Sequence, residues 1–343
     1  MIYCAGHSII SPLGEGTQAN IKAVQAGRSG LKRYCDRFAD VEPFCASLFD
    51  TPQEFIPLCI KSIELALNEQ IGKCENEQTI FILSTTKGDH LDLWTPAQQI
   101  AAHFGNPNLP IVVSNACTSG VCAQITALRL LESGLYRHAI VVGCDIQSRF
   151  IISGFQAFKA LSPEPCTPFD PNRKGLNLGE AAATIIYTVE PTDSWRLVAG
   201  SIHNDANHIS APSRTGDGAY LCLKDVMKGI QPSDISLVGV HGTGTLYNDD
   251  MERIALQRVG LSDVPMSVLK PYFGHTMGAA GVLETILCAE MASKSQITNG
   301  KSQMTNHHTA LADRSRLCRD KKSQIIKMLS GFGGVNAAIR IEK

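Results

Sequence analysis

No two of the twelve cysteines in this chain are separated by only two residues. That absence excludes a zinc ribbon and a thioredoxin-type redox motif, and at 343 residues the chain is too long to be a small disulfide-stapled domain. The cysteines read instead as packed thiols in a reducing compartment. No uninterrupted apolar stretch reaches the ~18 residues of a spanning helix. The segment Met1-Ile-Tyr-Cys-Ala-Gly-His has neither a basic start nor a long apolar run, so no signal peptide is expected. Excess charge is missing too: 31 Lys and Arg against 32 Asp and Glu leave a formal charge of −1. Such a chain has no bulk attraction to nucleic acid or to an anionic membrane. Charged residues make up only 18% and hydrophobic residues 44%, enough to bury a large core and to exclude global disorder. The expectation is a soluble, cytoplasmic protein with no nucleic-acid partner, no membrane segment and no metal.

What is present is an alternation of short apolar runs with helical patterns, the mark of an α/β fold. Strands are expected at Thr79–Ser84, Ile111–Asn115 and Ala139–Gly143, then at Ser236–His241, Met266–Leu269, Ile325–Ser330 and Ala337–Ile341. Helices are expected near Ile60–Gln70, Thr118–Ser133, Asp250–Val259 and Gly278–Ala292. The helix Thr118–Ser133 has Val121, Ile125 and Leu128 on one face and Ala123, Ala127, Leu130 and Leu131 on another. A helix apolar all round is buried inside a layered domain, and Gly134 follows it as a stop. Both halves repeat one theme of strand, small-residue turn with a reactive side chain, then helix. The expected division is 1–190 and 191–343, with the join near Glu190–Asp193.

Three turns carry chemistry. In Ser114-Asn115-Ala116-Cys117-Thr118-Ser119-Gly120 a strand runs into Cys117 as a helix begins. The positive end of the helix dipole favours a thiolate there, although one packed thiol among twelve is the other reading. In Val240-His241-Gly242-Thr243-Gly244-Thr245, glycines flanking Thr243 make a tight turn at a strand end and leave His241 and two hydroxyls there. In Lys270-Pro-Tyr-Phe-Gly-His275-Thr-Met-Gly-Ala-Ala-Gly281, His275 precedes a small-residue helix that needs close packing against neighbouring backbone. Two histidines at junctions that mirror Cys117 suggest one site. Gly331-Phe332-Gly-Gly334 is weaker, because a glycine-rich turn can be a plain hairpin.

As an ordered set, these motifs resemble the β-ketoacyl synthase family, condensing enzymes of the thiolase fold. Ser11-Pro-Leu-Gly14, Phe158-Lys-Ala-Leu-Ser162, Pro168-Phe-Asp170 and Gly175-Leu-Asn-Leu-Gly-Glu180 extend the resemblance through most of the chain. It implies two pseudo-repeated α/β halves in a layered αβαβα arrangement, the first carrying the nucleophile and the second both histidines. It also implies a decarboxylative Claisen condensation, with an acyl chain on Cys117 and a malonyl thioester met by His241 and His275. Lys270 matches the family's catalytic lysine near the second histidine, and Glu252 and Glu284 its supporting acidic positions that hold Lys270 and the loops. A buried ion pair with a purely structural role is the other reading of these three. Thr243 and Thr245 match hydroxyls on the pantetheine arm, and Phe332 a gating aromatic beside a backbone oxyanion hole. The implied substrates ride on acyl carrier protein, with no resident cofactor, in fatty-acid, polyketide or polyene biosynthesis. The implied assembly is a homodimer, or a heterodimer with another ketoacyl-synthase-like subunit, joined through Ile111–Asn115.

The Cys-His-His set argues against the synthase III type, in which an asparagine replaces one histidine. It also argues against thiolases, whose second cysteine lies in a C-terminal glycine turn; neither Cys288 nor Cys318 does. The chain departs from the family in being shorter before Cys117, with Asp36–Glu54 hard to align, in the polar stretch Ser293–Lys322, and in Ser330 where many members have Phe. The trimmed cap leaves a second reading, a non-elongating subunit like a chain-length factor.

Overall fold

The computed structural model describes residues 1–70, 72, 74–293 and 323–343. In its large sheet the strands lie in the order Met266–Ser267, Ile235–Gly239, Gln324–Gly331, Val335–Glu342, Arg196–Asn204, Ile2–Ser11, Ala181–Thr188, His138–Asp145, Thr79–Ser84 and Ile111–Val113. Read outward from the central pair Ile2–Ser11 and Arg196–Asn204, the two sides have one topology. In each, the first strand is followed in space by the fifth, fourth, second and third of its side. The first two pairings are antiparallel and the next two parallel on both sides. The central pairing itself is short, with Ile2 opposite Leu197 and Tyr3 opposite Arg196.

Between the two half-sheets lie the helices Ser119–Glu132 and Ala280–Ser293. Apolar contact on both sides explains why both are buried nearly all round: Val121, Ile125, Val282 and Ile286 belong to one central core. Each such side chain contributes about 1.5–3 kcal/mol by leaving water. Helices Phe55–Asn68 and Trp94–His103 cover the outer face of the first half-sheet, around Leu58, Ile63 and Ile100. Helices Asp217–Val226 and Leu246–Arg258 cover the second, around Leu223, Met251 and Leu256. This is the expected five-layer α/β arrangement. No helix among the described residues is long and apolar enough to cross a membrane.

Thr79–Ser84 forms a strand with the expected limits. The expected Ile111–Asn115 stops at Val113, because Asn115 N–H turns to the Ser119 hydroxyl at 2.8 Å. Ser236–His241 becomes Ile235–Gly239, leaving His241 in the following loop. Met266–Leu269 shortens to two residues, and the one-turn helix Lys270–Phe273 follows. His275 therefore follows a helical turn, not a strand. Hard-to-align Asp36–Glu54 contains the strand Phe44–Ser47, which joins Lys32–Tyr34 and Leu178–Gly179 in a small separate sheet. Residues 294–322, the bulk of the polar stretch together with Cys318, lie outside the described residues.

The central helices cross without an intervening side chain. A Cβ on Gly120 would stand 2.8 Å from Gly281 Cα, and one on Gly281 would meet Val121 N and the Gly120 carbonyl carbon. Backbone on both sides cannot yield as a flexible side chain can. Gln124 seals the crossing by donating to the Gly120 and Gly281 carbonyls at 2.9 and 3.0 Å. Gly281→Val is therefore expected to destabilise the protein by at least ~1–3 kcal/mol, the usual range for overpacking. A lowered urea midpoint with an unchanged m-value is the expected reading.

Candidate active site

The turn before Cys117 is built by local side-chain contacts. Thr118 Oγ1 donates to the Asn115 carbonyl at 2.7 Å and Ser119 Oγ to the Ala116 carbonyl at 2.6 Å. Ala116 takes φ +47°, unusual for a residue with a Cβ, which turns Cys117 sharply at the mouth of the helix. Beside it runs the hairpin turn Gly331–Gly334, so the glycine-rich motif is both a hairpin and a wall of the site. The backbone N–H groups of Phe332 and of Cys117 itself act on the sulfur in favour of its charged form.

His241 leaves the end of its strand on a loop held by two carboxylates. Glu252 accepts from His241 N–H at 2.5 Å, Gly242 N–H at 2.7 Å and the Asn248 side chain at 2.9 Å. Asp249 accepts from Thr243 N–H at 3.1 Å and from Phe169 N–H at 2.7 Å. His275 is gripped by the first half: its N–H donates to the Asn177 carbonyl at 2.7 Å, and Gly179 N–H donates to its carbonyl at 3.0 Å. Gly274, at φ +65°, admits this contact because any Cβ there would strike the Leu178 carbonyl. The quoted motif Gly175–Glu180 thus acts as the cradle of His275. Asp145 completes the grip by accepting from Gly278 N–H at 2.7 Å and Thr86 N–H at 3.0 Å.

Cys117 Sγ and one ring nitrogen of each histidine come within 4.8 Å of one another. The two rings meet edge to face at 5.0 Å between centroids. Met277 N–H donates to His275 Nδ1 at 3.3 Å, so the ring proton sits on Nε2, which has no hydrogen-bond partner; nor has His241 Nδ1. Two unpartnered buried ring nitrogens are an anomaly unless a ligand meets them. These three residues line a cavity of about 600 Å³ together with Thr243, Thr245 and Phe332. The Thr243 and Thr245 hydroxyls are 2.9 Å apart. Phe332 is 37% exposed and stacks on Phe155 at 5.9 Å.

Lys270 is buried behind the histidines, outside the cavity wall, and donates to Glu284 Oε1 at 2.8 Å. The remaining oxygen of Glu284 takes Lys327 Nζ at 2.5 Å. Lys327, Asp145 and Asp249 belong to none of the motifs read from the sequence, whereas Asn177 lies in the quoted Gly175–Glu180 motif without a role of its own assigned there. A lysine inside the otherwise apolar run Ile325–Ser330 was the one available sign of Lys327.

The electrostatics correct one expectation. Burial pushes the Cys117 thiol up to about 11, outweighing Lys270 and the N–H groups of Phe332 and Cys117. The resting group is therefore a thiol, not the thiolate expected from the helix end. Burial, then Lys270, drives both histidines well below their ordinary range, and both imidazoles are neutral. Burial and the charge of Asp249 raise Glu252 to about 7.

The models of the beta-ketoacyl synthase N-terminal and C-terminal domains match residues 65–190 and 196–301. The chain belongs to the β-ketoacyl synthase family. It is 31% identical over 262 residues to a 3-oxoacyl-[acyl-carrier-protein] synthase 2 of Rhizobium meliloti, covering 69% of this chain and 61% of that one. It is 27% identical to a Bacillus subtilis polyketide biosynthesis malonyl-ACP decarboxylase, covering 70% and 62%. A ketosynthase solved in complex with its chain length factor, from Xenorhabdus doucetiae, superposes with a TM-score of 0.86 at 25% identity, covering 99% and 97%. The matched part spans 61% of the rhizobial synthase and 51% of a rhizobial nodulation protein E, so the chain covers only part of these curated relatives.

Glu252 yields a pH prediction. Its pKa is raised on folding from 4.5 to about 7, so its stabilising contribution is complete below pH 4.5 and is lost as the pH rises through 7. Glu252→Gln, which cannot ionise, is expected to flatten that part of the stability profile. Urea unfolding at pH 5 and pH 8 checks it: the wild type should lose more stability between them than the variant.

Proposed function

We propose that the protein is an acyltransferase that condenses a carrier-bound acyl chain with a malonyl-carrier thioester, releasing CO2 and giving a β-ketoacyl thioester. The observation that carries this reading is the meeting of Cys117, His241 and His275 within 4.8 Å at one cavity. As Cys117 attacks the acyl thioester its thiol must lose a proton. His275 has its acceptor nitrogen occupied by Met277 N–H, so neutral His241 takes the proton and returns it to the departing carrier thiol. The tetrahedral oxyanion is held by the N–H groups of Cys117 and Phe332. Loss of CO2 from the malonyl thioester then leaves an enolate, whose oxygen accepts from His275 Nε2–H and from His241 in the tautomer that carries its proton on the nitrogen facing the cavity. The enolate carbon attacks the acyl-Cys117 carbonyl, and the freed thiolate takes one proton from water.

Thr243 and Thr245 hold the pantetheine arm, Phe332 gates the acyl side, and Lys270, Glu284 and Glu252 position the histidine loops. The chain needs no resident cofactor or metal, acts in the cytoplasm on acyl carrier protein, and binds neither nucleic acid nor membrane. Residues 1–190 and 191–343 are its two duplicated halves. A non-elongating partner subunit is the second reading, supported by the short stretch before Cys117. The Bacillus relative named as a decarboxylase illustrates a third outcome, chemistry confined to the two histidines. An acylable Cys117 separates elongation from both.

Incubation with acyl-carrier donors should acylate Cys117, read by peptide mass spectrometry; labelling confined to Cys122 or Cys166 would refute the mechanism. Cys117→Ala should abolish acyl transfer and retain malonyl decarboxylation. His241→Ala or His275→Ala should depress decarboxylation by roughly 10²–10³-fold, the cost of one oxyanion donor.

The strand Ile111–Val113 ends the large sheet with a free edge and half-buried apolar residues, a surface that another strand would cover. The protein is expected to be a dimer by light scattering, with itself or with a synthase-like subunit that supplies the missing wall of the acyl tunnel. A monomer with full condensing activity would overturn this.

A further inference from the structure

Lys327 is fully buried, in the middle of the strand Gln324–Gly331. Its stem passes over Gly239, where a Cβ would stand 3.0 Å from Lys327 Cδ. Its ammonium donates to two acceptors: the carbonyl of Val240 at 2.8 Å and Glu284 Oε2 at 2.5 Å. Val240 is the residue immediately before His241. Glu284, on the helix that follows the His275 loop, also takes Lys270 at 2.8 Å, and Lys270 opens the helical turn that leads to His275. A continuous buried chain of contacts therefore runs from Val240 through Lys327 and Glu284 to Lys270, joining the backbone supports of the two histidines.

We propose that Lys327 is a positioning residue that locks the His241 loop to the His275 loop and supplies the second positive charge behind the imidazoles. This deepens the condensing reading and rests on it. The charge balance supports the assignment. One carboxylate faces two ammonium groups, more cation than a purely structural ion pair requires. The groups facing the imidazoles are Lys270, Lys327 and Cys117, with Glu284 behind the lysines and Glu252 beneath the His241 backbone. Both lysines lower both histidines, after burial. The surplus positive charge lies behind the two imidazoles that would meet the anion developed by decarboxylation, so it acts on that step through them and not only on folding.

The test uses Lys327→Met, which keeps the length of the stem and leaves Glu284 and Lys270 as a matched pair, and Lys327→Gln, which offers Val240 a donor without charge. In Lys327→Met, malonyl decarboxylation should fall about 10–100-fold in kcat with KM nearly unchanged, as expected when a donor is displaced and not removed. Acylation of Cys117 should fall less, and the acid limb of the decarboxylation profile should move to higher pH. Lys327→Gln should recover part of kcat and keep the shifted limb. The side-chain NMR titrations of His241 and His275 should move upward in both variants, a readout that does not depend on turnover. A folded Lys327→Met protein with wild-type kcat and unmoved titrations would overturn the proposal. If that variant does not fold, Lys327→Gln decides it by the same two readouts. A wild-type protein that neither acylates Cys117 nor decarboxylates malonyl would instead overturn the condensing reading, and the histidine titrations would still decide the role of Lys327.

Discussion

The contact on which the site depends is the crossing of two buried helices at Gly120 and Gly281, where backbone meets backbone. One helix begins two residues after Cys117 and the other five residues after His275. Pressing their first turns together puts the nucleophile of one half beside the second histidine of the other. Side chains between the helices would force them farther apart, and the 4.8 Å cluster depends on that spacing. Gln124, bonded to both glycine carbonyls and to the Tyr187 hydroxyl at 2.7 Å, satisfies the polar groups that such close approach leaves without water.

Around that crossing the fold manages charge in a site with little solvent. The histidines stay neutral because burial and the lysines act in the same direction, while Cys117 stays protonated because burial outweighs its donors. The lysine charges are themselves held by Glu284, so neither buried ammonium stands without a carboxylate. Asp145 and Glu252 do similar work for backbone: each collects N–H groups from a loop that could not otherwise satisfy them while buried. The rigidity of the reactive loops comes from these carboxylates and from the clamp of Asn177 and Gly179 on His275.

The order of reactive turns along the chain was legible because glycine, small residues and a polar side chain at a strand end form a local pattern. Thr79–Ser84 and the helix after Cys117 were legible for the same reason, since continuous apolar runs mark elements buried on both sides. Ala181–Thr188 was missed although fully buried, because its three leading alanines carry none of the β-branched bias of a strand. Ile2–Ser11 was missed because Gly6 and His7 interrupt its apolar run. The local argument from the helix end also misjudged Cys117, since a dipole at a helix terminus is modest beside the cost of burying a charge.

By itself the sequence determined the α/β class, the three reactive side chains and the glycines that make their turns, because each is written in a few neighbouring residues. Which of these meet, and in what charge state, belongs to the tertiary structure alone. Lys327 stands 43 positions after Glu284 and 87 after Val240, and Asp145 stands 133 before Gly278. No periodicity or spacing links such partners. Only the stacking of two half-sheets on a shared pair of helices brings them together, and only burial in that stack decides which protons they keep.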